Sequence, residues 1–332
     1  MRGLIFDPFA GISGDMTIAA LLDLGLPLEW LRDFVRGLDL ADVRVDAERV
    51  MRKGIACRRL ILELPHEHAH RHLSHVVKII EGTQVPAEVR ERAIHAFTLL
   101  AEAEAEVHGT TREKVHFHEV GALDAIIDVL ASVAGAAELG FTEFYTRPAA
   151  LGRGWAEMAH GNFPVPPPAV MKLLQGIPVR DPEFEGECTT PTGAALLQAF
   201  TAGAAPPTTF VAEAVGFGAG TRDPRDRPNC LRLVAIRAQG GREEEVLVVQ
   251  CDVDDLSPEY VPPLMEAVLT AGALACPAAP VLMKKGRPGL RVEALAEPAA
   301  LAAVQGALFH AGSSIGVRFW PVRREAHARR EE

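Results

Sequence analysis

Residues 238–245 read AQGGREEE, two adjacent glycines and four charges set between the apolar runs CLRLVAIR and VLVVQCDV. A polar, glycine-containing stretch between two strand-like runs is where a chain leaves one core and begins another. It predicts a domain over residues 1–239, a second over 246–322, and a charged tail, 323–332, that frays or leads into a further segment. The second domain reads strand (Val246–Val253), helix (Pro258–Ala271), strand (Leu274–Met283), strand (Arg291–Ala296), helix (Pro298–Ala311) and strand (Ile315–Val322). That order is the split βαββαβ of a ferredoxin-like domain, complete within roughly eighty residues.

The first domain reads as mixed α/β, so the fold class expected for the whole chain is α/β (α+β). RGLIF is strand-like and feeds a glycine-containing turn, after which a helix runs from Asp15 to about Leu24. A short helix from Pro27 precedes two strands, DVRVDAERV and CRRLILEL. A long helix from Pro86 to about Val107 buries Val89, Ala93, Phe97 and Leu100 on one face. VHFHEV reads as a strand and is followed by a helix from about Asp124 to Leu139. Prolines open two short helices in PVPPPAVMKLLQG and TTPTGAALLQAF, where a missing N–H costs nothing. TFVAEAVGFGAG and CLRLVAIR close the domain as strands.

Composition narrows the function classes. With 332 residues and 48% hydrophobic content the chain can fill about two cores. A formal net charge of −10 argues against a phosphate-backbone reader, so no nucleic-acid partner is expected. Five cysteines, far apart and without a C-x-x-C pair, fit a reducing cytoplasm better than a disulfide framework. No run is long enough to span a bilayer, and the apolar start is too short for a signal peptide. A cytoplasmic protein with no membrane partner is expected.

The segment HEHAHRHLSH places five histidines between His66 and His75. His66, His68, His70 and His72 recur at every second position, which in an extended segment projects all four from one face. Such a row would suit nickel, zinc or copper; the alternative is a solvated loop. In VHFHEVGALDAIIDV, His116 and His118 share a strand face, with Glu119 opposite, and Asp124 and Asp128 lie four apart on the next helix. These groups can meet where strand joins helix, as metal ligands or a general-base pair, unless His118 only caps the turn and the aspartates are solvated. In FDPFAGISGDM, Ser13 and the helix N-terminus offer donors to an anion, whereas Asp7 and Asp15 could hold a hydrated cation. Asp15 could equally be the helix N-cap and nothing more. In the second domain, CDVDDLSPE gathers Asp252, Asp254, Asp255 and Glu259, hard oxygen ligands for magnesium or manganese. MKKGRPG supplies Lys284, Lys285 and Arg287 beside Gly286, a set able to grip polyphosphate. Acid beside base suggests a metal–nucleotide site; two solvated loops of opposite sign are the alternative.

Eight stretches in order, FDPFAGISGDM, RHLSH, VHFHEVGALDAIIDV, AHGNFPVPPPA, TTPTGAALL, GFGAGTRDPRDRPN, CDVDDLSPE and KKGRPG, resemble the LarC family of nickel insertion proteins for the nickel-pincer nucleotide cofactor. The resemblance implies a lyase-class enzyme that places nickel into pyridinium-3,5-bisthiocarboxylic acid mononucleotide, for lactate racemase and related enzymes. It implies dependence on CTP with Mn(II) or Mg(II), and apo lactate racemase as a downstream partner. A homo-oligomer is expected. On this reading nickel is collected by His66, His68, His70 and His72 and passed to the precursor, whose sulfurs displace the imidazoles. His116 and Asp124 are further candidate ligands, and His118 or Glu119 takes the ring proton. Phosphate of the precursor rests on Ser13, Gly14 and Asp15, or on Arg222, Arg225 and Arg227. CTP and its metal use Asp252, Asp254, Asp255, Lys284, Lys285 and Arg287. Two rival functions are a nickel or zinc chaperone without chemistry and a metal-dependent nucleotide hydrolase.

Overall fold

A computed structural model describes residues 2–326 apart from 39, 41–42, 65–70, 116–122, 159–160 and 239–241. The chain divides into two compact units, Met1–Gln239 and Gly240–Glu332.

In the first unit the chain runs β1 (Arg2–Asp7), α1 (Gly14–Asp23), α2 (Leu28–Gly37), β2 (Arg44–Arg52), β3 (Ile55–Glu63), α3 (Leu73–Gly82), α4 (Ala87–His108) and α5 (Leu123–Glu138). It continues through β4 (Glu143–Thr146), β5 (Ala149–Arg153), β6 (Trp155–Met158), β7 (Gly161–Pro164), α6 (Pro168–Leu173), β8 (Val179–Glu185), α7 (Pro191–Thr201), β9 (Phe210–Ala219) and β10 (Cys230–Ala238). Among the described residues a six-stranded sheet has the order β2-β3-β9-β10-β1-β4. β1 lies antiparallel to β10 and parallel to β4, and β3 runs parallel to β9. The strands β4 to β8 lie outside the elements expected from periodicity, because they are of four to seven residues; β4 joins the edge of the large sheet and the other four form two small sheets, β5-β8 and β6-β7.

α1 is buried along almost its whole length, from Met16 to Leu22, because it lies between the sheet and α5. A helix enclosed on both sides has no use for a polar stripe. Its backbone rests directly on β9. A β-carbon at Gly218 would stand 1.9 Å from the Met16 carbonyl oxygen, so glycine there is what lets helix and strand approach. α4 buries Val89, Ala93, Phe97 and Leu100, as its period predicts. The prolines of α6 and α7 occupy first-turn positions, also as expected.

The second unit runs β11 (Arg242–Val253), α8 (Val261–Thr270), β12 (Ala273–Ala275), β13 (Ala278–Leu282), β14 (Pro288–Ala296), α9 (Leu301–Ala311) and β15 (Arg318–Ala326). The sheet order is β12-β14-β11-β15, with β13 also on β14 and each of these pairings antiparallel. Val249, Cys251 and Val253 alternate inward against Leu264, Val268, Val304 and Leu308 of the two helices. Element boundaries differ from the sequence reading by up to four residues. β11 starts at Arg242 rather than Val246, and β15 ends at Ala326 rather than Val322, because the register sets Glu244 opposite Arg324 and Glu245 opposite Arg323. Hydropathy alone does not reveal a ladder between such polar runs. The single strand expected over Leu274–Met283 is split at Cys276 and Pro277, where proline has no N–H to donate.

Candidate functional site

The loop after β1 is pinned to the entrance of α7. Ile12 N–H donates to the Cys188 carbonyl at 3.1 Å and Thr190 N–H to the Ile12 carbonyl at 3.0 Å. Thr190 Oγ1 in turn accepts from Gly193 N–H at 3.1 Å, capping α7. This holds the start of α1 in one place. Ser13, not Asp15, is the N-cap of α1, with extended backbone, and its hydroxyl donates to Asp15 Oδ1. Asp15 sits one residue into the helix, where Oδ1 also accepts from Met16 N–H at 2.9 Å. Thr221, at the start of the β9–β10 loop, donates to Asp15 Oδ2 at 3.4 Å.

Asp128 of α5 reaches the same turn. It accepts a hydrogen bond from the Asp15 backbone N–H, and its Oδ1 is sealed from solvent with no partner among the described residues. Burial pushes its carboxyl well above the usual range, and the charges of Asp15 and Asp124 push the same way. Gly14 is the residue that admits it, since a β-carbon there would meet Asp128 Oδ2 at 2.4 Å. Asp124, one turn earlier, is exposed, and its Oδ1 accepts from Ala125 N–H at 2.8 Å.

The expected convergence of Asp7 and Asp15 does not occur. Asp7 is buried and taken by Arg232, whose Nε donates to Oδ2 at 2.9 Å. A carboxylate neutralised by a guanidinium is withdrawn from cation binding. Arg227 is likewise buried, donating to the Glu185 carbonyl at 2.9 Å with its guanidinium 5.1 Å from the Phe184 ring. It braces the loop, whereas Arg222 and Arg225 of the same loop are exposed.

His66, His68, His70, His116, His118 and Glu119 lie outside the described residues. His72 is described, as the N-cap of α3. Its Nδ1 lies 3.1 Å from the Val115 carbonyl oxygen. A carbonyl only accepts, so the ring carries a proton on Nδ1. The contact also joins the end of the histidine row to the residue immediately before His116.

In the second unit, Arg287 Nη1 lies 3.4 Å from Asp254 Oδ2, so the acidic and basic loops do face each other. Asp252 is engaged differently. Arg291 donates to its two oxygens at 2.8 and 3.1 Å and Arg318 to Oδ2 at 2.6 Å, which holds its carboxyl below the usual range. Asp255 accepts from Ser313, and Ser257 donates to Glu259 Oε1 at 3.2 Å. Lys284 and Lys285 are exposed in the turn before β14, Lys285 with a left-handed backbone, φ 63°. Among the described residues no group of three or more His, Cys, Asp or Glu side chains is arranged to hold a metal ion.

The sequence reading set Asp128 beside Asp124 in the strand–helix convergence and carried only Asp124 forward as a ligand, although Asp128 is a carboxylate alone within the apolar run IIDVLASVAGAA. Thr221 lay within the stretch GFGAGTRDPRDRPN without a role of its own.

The family model described as "Nickel insertion protein" matches residues 4–332. A "Putative nickel insertion protein" of Geobacter sp. (strain M21) is 43% identical over 334 residues, covering 100% of this chain and 87% of that protein. A "Pyridinium-3,5-bisthiocarboxylic acid mononucleotide nickel insertion protein" of Desulfitobacterium hafniense (strain DSM 10664 / DCB-2) is 37% identical over 331 residues, covering 98% of this chain and 82% of that protein. A solved structure, "LarC2, the C-terminal domain of a cyclometallase involved in the synthesis of the NPN cofactor of lactate racemase, apo form", aligns with 25% of this chain and 57% of that chain at 28% identity, with a TM-score of 0.24.

Proposed function

The chain belongs to the nickel insertion protein family, and from that premise we propose that it inserts nickel into pyridinium-3,5-bisthiocarboxylic acid mononucleotide, the substrate named for its Desulfitobacterium hafniense relative. The observation that carries this reading is the meeting, at the start of α1, of Ser13, Asp15, Asp128 and Thr221, in a unit where His72 holds its Nδ1 3.1 Å from the Val115 carbonyl oxygen.

Nickel is substrate here. It is collected by His66, His68, His70 and His72 as neutral imidazoles, with His116 and Asp124 as further ligands. Deprotonated sulfurs of the thiocarboxylates then displace nitrogen donors, because thiolates hold nickel well. Formation of a nickel–carbon bond requires the ring carbon to give up its proton while its electron pair passes to nickel. His118 or Glu119 takes that proton.

CTP with Mn(II) or Mg(II) is used at the second unit. Lys284 and Lys285 are free to meet a triphosphate, and Arg287 already lies across from Asp254. Asp254, Asp255 and Glu259 fit a metal that arrives with phosphate oxygens and water among its ligands. Asp252 fits less well, since Arg291 and Arg318 occupy both its oxygens. The product serves lactate racemase-type enzymes.

The test is incubation of the protein with precursor, nickel and manganese-CTP, followed by measurement of nickel-cofactor formation. Nickel binding without conversion would replace this reading with a metal chaperone. Nucleotide turnover indifferent to precursor and to the histidines would replace it with a hydrolase.

A further inference from the structure

The start of α1 and the β9–β10 loop are the two places where the phosphate of a mononucleotide could rest, and their electrostatics differ. At α1 three successive donors are already committed. Asp15 N–H goes to Asp128, Met16 N–H to the Asp15 side chain at 2.9 Å, and Thr17 N–H to the Ser13 carbonyl at 3.1 Å. The attraction of a helix N-terminus for anions rests on free N–H groups, and here those of Asp15, Met16 and Thr17 are spent on the protein's own oxygens. Asp15 and Asp124 add negative charge to the same turn. A dianion placed there would meet repulsion and few donors.

The loop is the opposite case. Between Thr221 and Asn229 it carries Arg222, Arg225 and Arg227 with Asp223 and Asp226. Each aspartate is matched by a buried arginine: Arg52 lies 3.9 Å from Asp223 Oδ2, and Arg227 lies 3.3 Å from Asp226 Oδ2. Arg222 and Arg225 remain exposed, and their guanidinium groups have no hydrogen-bond or ion-pair partner among the described residues. The backbone beneath them is braced. Arg52 donates to the Gly220 carbonyl at 2.9 Å, Gly220 N–H to the Asn229 carbonyl at 3.1 Å, and Asn229 Nδ2 to the Arg222 carbonyl at 2.9 Å. Thr221 ties the loop to Asp15, so Arg222 is one residue from the α1 turn.

We propose that Arg222 and Arg225 hold the phosphate of the mononucleotide substrate, and that the α1 turn is closed to phosphate. Two exposed guanidiniums on a braced loop, without partners among the described residues, are the donors such an anion clamp needs. Ser13 and Asp15 are left to meet uncharged or cationic parts of the same ligand. This rests on the proposed function, in that the ligand is the pyridinium mononucleotide.

The experiment compares affinities for the mononucleotide and for the nucleoside lacking its phosphate, in the parent, Arg222→Ala/Arg225→Ala, Arg222→Lys/Arg225→Lys and Asp15→Asn, with melting temperature as the folding control. The parent should prefer the mononucleotide at least tenfold, and added salt should erode that preference. The double alanine variant should lose the preference while binding the nucleoside like the parent. The lysine variant should recover part of it, and Asp15→Asn should keep it whatever its overall affinity. A preference that survives in the alanine variant, is lost in Asp15→Asn, or is absent from the parent overturns the clamp alone. A parent that binds neither ligand overturns the proposed function together with it.

Discussion

The Asp128 carboxyl lies directly over Gly14, so close that a β-carbon at Gly14 would stand 2.4 Å from Asp128 Oδ2. The helix α5 thereby caps α1 from outside, with a carboxyl that burial and two neighbouring charges keep protonated well above its ordinary range. A native state that holds a proton which the unfolded chain releases is favoured below the unfolded pKa and loses that advantage as pH rises through the folded one. Asp128→Asn mimics the protonated form. It should match the parent's melting temperature near pH 3.5 and exceed it increasingly toward pH 8. Melting curves at several pH values check this; equal or lower stability at every pH would show that the carboxyl is not protonated at rest.

Gly218 supports α1 through backbone contact, which no side-chain rearrangement can relieve. Gly218→Ala should destabilise the first unit by about 1–3 kcal/mol, the usual cost of overpacking, or roughly 2–8 °C of its transition. Chemical denaturation followed by circular dichroism reads it, and an unchanged midpoint would contradict the 1.9 Å approach to the Met16 carbonyl.

For the histidine row, His72 must be separated from the rest, because it occupies the N-cap position of α3 and its ring bonds to Val115. His66→Ala/His68→Ala/His70→Ala should weaken nickel binding at least tenfold, about 1.4 kcal/mol, with little change in melting temperature. Lowering pH from 7.5 to about 5.5 should act in the same direction, since protons compete with nickel for imidazole nitrogens. Calorimetry returning the parent's nickel affinity for the triple variant would remove the row from the pathway.

In the second unit, Asp254→Asn/Asp255→Asn and Lys284→Ala/Lys285→Ala should each bind manganese-CTP at least tenfold more weakly while retaining the parent's nickel affinity. Each charge-assisted contact to phosphate typically contributes about 1.5–3 kcal/mol. Titrating both variants with nucleotide in the presence of manganese decides the matter, and undiminished binding in both would move CTP elsewhere.

Limited proteolysis should cut between Ala238 and Arg242 and spare Glu243–Glu245, whose backbone is paired with β15. Early cleavage inside Glu243–Glu245 would mean that the charged end of this ladder opens readily in solution.

Much of this protein was legible in its sequence. The elements of the second unit, the buried face of α4, the prolines opening α6 and α7 and the glycine-rich join follow from period, capping and turn chemistry. All of these act over a few residues, so a string of letters carries them. The charged ends of β11 and β15 were hidden because strand propensity there depends on which residue lies opposite.

The acidic groups show the same limit more sharply. Read along the chain, Asp7, Asp15 and Asp252 look alike, each a carboxylate near an element end, and Asp128 stands alone in an apolar run. Their fates are set by partners far away: Asp7 by Arg232, 225 positions on, and Asp252 by Arg291 and Arg318, 39 and 66 positions on. Asp15 meets Thr221 across 206 positions, and Asp128 meets the start of α1 through packing of two helices. Whether a carboxylate is neutralised, buried with its proton or left to face a ligand depends on the charge and solvent around it. That surrounding exists only once the helices and strands have packed.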